Sequence, residues 1–331
     1  MPHKAPLLSV APMMAWTDRH CRYFHRQLSS RALLYTEMVT AAALVRGGAR
    51  HLLAFDAREG PVALQLGGAD PAELAQAARM GAEEGYAEIN LNVGCPSDRV
   101  QSGTFGAVLM KDPGLVAACL AAMRDAVDVP VTLKCRIGVD EQVPEETLPE
   151  FLSQIASSGV TQVSIHARKA WLKGLSPKEN REVPPLDYGL VEEMVAAFPA
   201  LSIALNGGVE SLVAVKAALA RGVDGVMVGR AAYHRPWDIL AAADREIYGV
   251  DESLAEREEV VDAMRAYIGA HLAQGGALHQ VTRHMLGLYA GQPGARAWRR
   301  ILSERATAQG AGLDVLDAAL AAVTAETARA A

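Results

Sequence analysis

Eight short apolar runs recur along the first two thirds of the chain: Leu7–Met13, Leu33–Val39, Pro61–Gly67, Ala87–Val93, Val129–Ile137, Val160–Ala167, Leu201–Gly207 and Val223–Gly229. Amphipathic stretches lie between several of them and carry helix-start signals. Asp70-Pro71, Asp112-Pro113 and Pro144-Glu145-Glu146 each place an acceptor side chain or a proline where the first helical N–H groups lack partners. Strand then helix, eight times over, predicts an α/β chain folded as a closed parallel (β/α)8 TIM barrel. A doubly wound sheet would show fewer repeats and a glycine-rich turn after its first strand. Here the first run leads into Ala11-Pro12-Met13-Met14, with no G-x-G-x-x-G.

The alternation stops near Tyr248-Gly249. The acidic stretch from Asp251 to Asp262 opens a helical pattern that continues to Ala331, broken by turns at Gly275-Gly276, Gly291-Gln292-Pro293-Gly294 and Gly310-Ala311-Gly312. The expected division is a barrel over residues 1–248 and an appended helical domain over residues 249–331, ending in an Ala-rich helix.

Composition narrows the class. The chain has 331 residues, 50% hydrophobic and 21% charged, with net charge −6, which suits a soluble globular protein. An acidic total supplies no global field for nucleic acid, so any RNA contact must come from local patches. The four cysteines, Cys21, Cys95, Cys119 and Cys135, form no C-x-x-C pair, which argues against zinc or thioredoxin-like chemistry. Cys119 sits in an Ala-rich helical run and is expected in the core. The N-terminus shows no apolar signal region, and no run is long enough to span a membrane. A cytoplasmic enzyme with reduced thiols is the expectation, with no metal and no protein partner implied.

The most informative segment is Asn90-Leu91-Asn92-Val93-Gly94-Cys95-Pro96-Ser97. A strand runs into Gly-Cys-Pro, which sets a thiol on a rigid turn just beyond the strand end, where scaffold proteins carry their chemistry. A lone cysteine is more commonly a small core hydrophobe, but turn residues flank this one. In a barrel of this class the other strand ends count equally. Gln65 ends the third strand. The fifth carries Lys134 and Arg136 on one face, with Leu133 and Cys135 on the other. The sixth carries Ser164, His166 and Arg168. A lysine in a strand buried on both faces needs an anion or a ligand, unless it reaches out at the rim. Asn206-Gly207-Gly208 and Gly229-Arg230 end the seventh and eighth strands, where glycine turns, a helix starting at Val209-Glu210-Ser211 and an arginine could cradle a phosphate.

Two basic segments stand out from the acidic total. Residues 166–181 hold Arg168, Lys169, Lys173, Lys178 and Arg181 against Glu179; residues 283–305 hold Arg283, Arg296, Arg299, Arg300 and Arg305 against Glu304. Trp171 and Trp298 lie within them and could stack on bases. The plain alternative for each is a solvated charged face.

Together "APMMAWTDRHCRYFHR", "LLYTEMVT", "VALQLGG", "EINLNVGCPSDRVQSGTFGAVLM", "HARKAWLKGLSPKENREVPPLDY", "NGGV" and "DGVMVGRAAY" resemble the tRNA-dihydrouridine synthases, within them the A subfamily (DusA), over almost the whole chain. The resemblance implies an FMN enzyme that reduces uridine to dihydrouridine in the tRNA D-loop, at positions 20 and 20a, with NADPH as reductant. It implies FMN contacts from Pro12, Met13, Met14, Gln65, Lys134, His166, Asn206, Gly207, Gly208, Gly229 and Arg230. It makes Cys95 the catalytic acid, and it implies tRNA contacts from Asn92, Lys178, Arg181, Arg296 and Arg299. One departure is Ala15, where the pattern leads one to expect an acidic residue.

The implied chemistry is a flavin N5 hydride adding at C6 of uracil and a proton reaching C5. A thiol of ordinary pKa, about 8.5, can supply that proton, so no arginine or metal should hold the sulfur as thiolate. The target base would have to turn out of its stack, at a few kcal/mol. With no dinucleotide fingerprint, NADPH is expected to dock transiently over the flavin. Two rivals remain: a flavin barrel enzyme reducing a free pyrimidine, for which the basic helical domain is superfluous, and a tRNA-binding protein without turnover.

Overall fold

The computed structural model describes residues 5–97, 105–250 and 256–330. Two segments of interest, residues 98–104 of the Gly-Cys-Pro motif and the start of the acidic stretch at 251–255, lie outside them. Eight parallel strands close into a barrel in chain order: β1 Leu8–Val10, β2 Leu33–Thr40, β3 Val62–Gly67, β4 Glu88–Val93, β5 Val131–Arg136, β6 Gln162–His166, β7 Ser202–Asn206 and β8 Gly225–Val228. The ring shuts where β1 pairs with β8, Ser9 opposite Met227. All eight expected runs contain a strand. The first is only three residues long, so Pro12, Met13 and Met14 belong to the loop above it.

The predicted helix starts are where the sequence put them. Helices run Pro71–Glu83, Pro113–Arg124 and Pro144–Ser157. Asp70 accepts from Glu73 N–H and Asp112 from Leu115 N–H, caps that each stabilise their helix by about 1 kcal/mol. After β7 the helix is Leu212–Ala220, capped by Ser211.

Alternation along the strands builds two different surfaces. Outward-facing Leu64, Leu66, Ile89, Leu91, Val93, Leu133, Cys135, Ile165 and Leu205 pack under the helices in one continuous core, which also buries Cys119. The inward-facing set is divided by sector. Ala11, Leu33, Tyr35, Ala63 and Met227 form a small apolar cluster on the β8–β3 side. On β4 to β6 the lumen is lined instead by Glu88, Asn90, Asn92, Thr132, Arg136, Gln162, Ser164 and His166, all buried. Barrel lumens are ordinarily filled by branched aliphatics, so this polar sector marks where the fold gives up packing for something else.

Beyond β8 the described residues carry helices at Arg257–Ala273, Leu278–Thr282, Ala295–Arg305 and Leu313–Ala330, and no further strand. These helices share the barrel's apolar core through Val260, Met264, Val281, Trp298 and Leu316. They dock on the Arg19–Arg26 helix that follows β1. Tyr267 stacks on Tyr23 with ring centroids 3.9 Å apart and is hydrogen-bonded to His20 Nδ1 at 2.8 Å. Asp18 takes Arg283 and His284 from the helical region, the latter at 3.0 Å. Arg257 lies over the Trp237 ring at 4.2 Å. Among the described residues no helix is long and apolar enough to cross a membrane.

This seam has a pH signature. Burial pushes His20 down to about 4 against the pull of Asp18, with His271, Arg19 and His284 also disfavouring its charge. Burial likewise pushes His25 down to about 3, helped by His284 and Arg26. Below pH 6.5 the unfolded chain takes up protons that the folded one refuses, so stability falls as pH drops from 6.5 towards 4. The loss is at most about 1.4 kcal/mol per pH unit for each histidine. Thermal unfolding at pH 7, 6 and 5 should show a falling midpoint, with a shallower fall in His20→Gln. An equally steep fall in that variant would remove His20 from the account.

Candidate active site

Cys95 stands at the mouth of the barrel, two residues past the end of β4, on a turn built by one side chain. Asn92 Oδ1 accepts from the N–H of Gly94 at 3.1 Å and of Cys95 at 3.0 Å. The Cys95 carbonyl accepts from Ala107 N–H at 2.9 Å. The sulfur is half-buried, 3.4 Å from Ser97 Oγ, while Cys21, Cys119 and Cys135 are buried. The turn reading of the motif therefore holds over the core reading.

Opposite Asn92 in the sheet register lies Lys134. Its ammonium has no hydrogen-bond or ion-pair partner among the described residues. Burial, then Arg136, pushes its pKa down to about 8. His166, at the end of β6, is pushed well below its ordinary value by burial and by Arg136, Lys134, Arg168 and Arg181, so its imidazole is neutral. A half-buried ammonium beside Arg136, with no carboxylate partner among the described residues, is costly without an anionic or electron-rich neighbour.

The glycine turn after β7 completes the mouth. Gly207 has φ +111°, and a Cβ there would fall 2.5 Å from the His166 ring; only glycine permits both. Its carbonyl accepts from Tyr188 OH at 2.6 Å, and Gly208 follows at φ +66°. Asn206 is tied to the Met227 carbonyl at 2.7 Å. After β8, Gly229 caps the short Arg230–His234 helix and approaches Met13. Arg230 is ion-paired with Glu182 at 2.6 Å. The Nε of Arg168 is buried without a partner, while its Nη1 donates to the Pro184 and Glu182 carbonyls. Pro12 and Met13 line the rim, and Met14 is 58% exposed beside them.

Gln65 is buried in the lumen, donating to Asn90 Oδ1 at 2.8 Å and accepting from Asn92 Nδ2 at 2.8 Å. Asn92 is thus 8% exposed, with both ends of its amide engaged inside the protein. Lys178 and Arg181 are exposed on the long loop after β6. A cleft of about 410 Å³ opens between Pro96 and residues 172–177 of that loop.

Arg136 was read in the sequence only as a neighbour of Lys134, and the structure gives it a larger part. Its guanidinium is buried and donates to the carbonyls of Gly94 (3.1 Å), Asn180 (2.8 Å) and Lys169 (3.4 Å). It pins the Cys95 turn to the loop after β6. Its three hydrogen bonds all go to carbonyl oxygens. Asn180, fully buried, closes the same loop by bonding Trp171 N–H and carbonyl. Strand alternation put Arg136 on the right face, but no sequence signal named its three acceptors.

One expectation is corrected. Trp298 cannot stack on RNA, because it is 0% exposed, donates Nε1–H to the Met285 carbonyl at 2.9 Å and packs on Tyr289. Truncating such a side chain typically costs about 3–5 kcal/mol, which marks it as a keystone of the helical region. Arg296, Arg299 and Arg300 on the same helix remain exposed. The i, i+4 pair Trp298–Leu302, both buried, was the available signal.

Fold and mouth together define a (β/α)8 barrel that carries a half-buried thiol and a partnerless ammonium at one end. The family profile described as dihydrouridine synthase (Dus) matches residues 9–325, and the chain belongs to the dihydrouridine synthase family. A tRNA-dihydrouridine(20/20a) synthase of Vibrio cholerae is 55% identical over 317 residues, covering 96% of each chain. One of Escherichia coli K12 is 56% identical over 319 residues, covering 96% of this chain and 92% of that protein. An old yellow enzyme homologue from Zymomonas mobilis shares the fold at TM-score 0.53 and 10% identity, over 77% of this chain and 92% of that one.

Proposed function

We propose that the protein is an FMN-dependent tRNA-dihydrouridine(20/20a) synthase that reduces D-loop uridines of tRNA in the cytoplasm, with NADPH as reductant. The observation that carries this reading is the pairing of Cys95, half-buried on its Asn92 turn, with the unpartnered ammonium of Lys134 across the same strand pair. The two relatives above are named for this activity. The residues present fit a flavin mononucleotide. Lys134 would hold the electron-rich edge of the ring, Gln65 its pyrimidine edge, and neutral His166 would hydrogen-bond alongside. The Gly207-Gly208 turn, Asn206, Gly229, Arg230 and the unpartnered Arg168 Nε would take the phosphate, with Pro12, Met13 and Met14 against the ring. When bound, the flavin supplies the hydride that adds to C6 of uracil, and NADPH replenishes it.

The chain's own contribution is the proton. As negative charge develops at C5 and the 4-carbonyl, the Cys95 S–H bond breaks, its proton goes to C5, and the thiolate left behind regains a proton from solvent. Asn92 orients the thiol through the Cys95 backbone and sits where a uracil would enter. Lys178 and Arg181, exposed on the loop that walls the cleft beside Pro96, and Arg296 and Arg299 on the helical region would meet the tRNA, offsetting the few kcal/mol of unstacking.

The test is direct. Purified protein should be yellow with bound FMN, and unmodified tRNA treated with it and NADPH should gain dihydrouridine at positions 20 and 20a. Colourless protein that FMN does not reconstitute would end the reading. Equal activity on free uridine would favour a reductase of free pyrimidines.

A further inference from the structure

We propose that Thr132 and Glu88, at the foot of the lumen, are positioning residues for the Cys95 thiol. They terminate a one-way chain of hydrogen bonds whose other end is the Cys95 backbone. The proposal rests on the reading of Cys95 as proton donor. The links run Cys95 N–H to Asn92 Oδ1 (3.0 Å), Asn92 Nδ2 to Gln65 Oε1 (2.8 Å) and Gln65 Nε2 to Asn90 Oδ1 (2.8 Å). They continue from Asn90 Nδ2 to Thr132 Oγ1 (2.8 Å) and from Thr132 Oγ1–H to Glu88 Oε1 (2.6 Å). Tyr35 OH donates to the same Glu88 oxygen at 2.5 Å. Residues 88, 90, 92 and 132 belong to the polar sector of the lumen, Gln65 joins them from β3, and all five are buried.

The direction of the chain is its function. An amide side chain turned through half a circle keeps its shape while exchanging donor for acceptor. Three amides in series therefore admit two opposite arrangements unless an end imposes the polarity. Both do. The N–H groups of Gly94 and Cys95 can only donate, so Asn92 must offer them oxygen. Glu88 Oε1 accepts from Thr132, whose one hydroxyl proton is then committed, so Asn90 must offer Thr132 its N–H. Every amide between is fixed by these two ends. Removing the Thr132 hydroxyl leaves Asn90 Nδ2 a buried donor without an acceptor, which costs about 1–3 kcal/mol. Turning Asn90 would only exchange that orphan donor for an orphan oxygen and set the later links against the Gly94 and Cys95 N–H groups, so Asn90 instead shifts toward another acceptor and draws Gln65 and Asn92 with it. The Asn92 oxygen is then pulled off the Gly94 and Cys95 N–H groups, and the turn loosens.

The test compares full-length wild type, Thr132→Val, Thr132→Ser and Glu88→Gln. The first reading is the rate at which iodoacetamide alkylates Cys95, followed by peptide mass spectrometry; the second is dihydrouridine formation on tRNA. Thr132→Val, which keeps shape and loses the hydroxyl, should alkylate about fivefold faster and form dihydrouridine about tenfold more slowly. Thr132→Ser keeps the hydroxyl and Glu88→Gln keeps an acceptor oxygen, so both should stay within about twofold of wild type. Wild-type alkylation in Thr132→Val would overturn the proposal even with a lowered unfolding midpoint, and so would equal impairment in all three variants. Should Thr132→Val fail to fold, Thr132→Ala removes the same hydroxyl without the second methyl. If wild type forms no dihydrouridine, the catalytic reading fails, while the alkylation series still decides whether the chain holds the thiol in place.

Discussion

Cys95→Ala should form dihydrouridine about 10²–10⁴-fold more slowly than wild type, the range expected for loss of a positioned general acid. Binding of tRNA and of flavin should stay within about twofold, because the turn is held through the Cys95 N–H, which alanine keeps. Cys95→Ser should rescue little, since an alcohol gives up its proton far less readily than a thiol. Quantifying dihydrouridine by mass spectrometry under single-turnover conditions isolates the chemical step. The sulfur is half-buried, and its hydrogen-bond partner is the Ser97 hydroxyl at 3.4 Å. A Cys95→Ala enzyme within tenfold of wild type would move the proton source elsewhere, and the Ser97 hydroxyl would be the next group to remove.

Arg136→Met should be the most damaging substitution that leaves every group proposed to touch substrate intact. Three carbonyls, of Gly94, Lys169 and Asn180, lose a charged donor inside the protein. Hydrogen bonds to charged groups contribute about 1.5–3 kcal/mol each and do not simply add, so a loss of about 3 kcal/mol in stability is expected. The consequence for activity is larger than that figure suggests, because the same three bonds hold the Cys95 turn against the loop bearing Lys178 and Arg181. A displacement of about 1 Å there is worth about 10²-fold in rate. Arg136→Lys should not rescue, since an ammonium cannot reproduce a planar fork spanning three acceptors. Chemical denaturation together with single-turnover rates would check both effects; a lysine variant of wild-type stability and rate would show that charge alone, without the fork, suffices.

Local patterns carried far in this chain. Eight apolar runs, the Asp70 and Asp112 caps and Ser211 were legible because strand burial and helix capping depend on residues a few positions apart. The Cys95 turn was legible for the same reason, since Asn, Gly, Cys and Pro act within one turn. Lys134 could be singled out without a structure because a charge in an apolar strand is costly wherever that strand lies. Where local readings went astray, they did so through orientation. Trp298 sits in a basic run and reads as a surface aromatic, yet the helix turns it inward with Leu302 and turns Arg296, Arg299 and Arg300 outward.

By itself, then, the sequence determined the barrel, the helical extension and the set of strand ends that could bear chemistry, all of them consequences of periodicity and short-range turn geometry, while the resemblance of its motifs carried the family. Only the closed barrel decided who bonds to whom. Arg136 meets Gly94 from β4 and Asn180 from beyond β6, Arg230 meets Glu182, and Gln65, Asn90, Thr132 and Glu88 line up across three strands. Those partners are set by strand register and barrel closure, which bring together side chains tens of residues apart, and no pattern of neighbours along the chain encodes that distance.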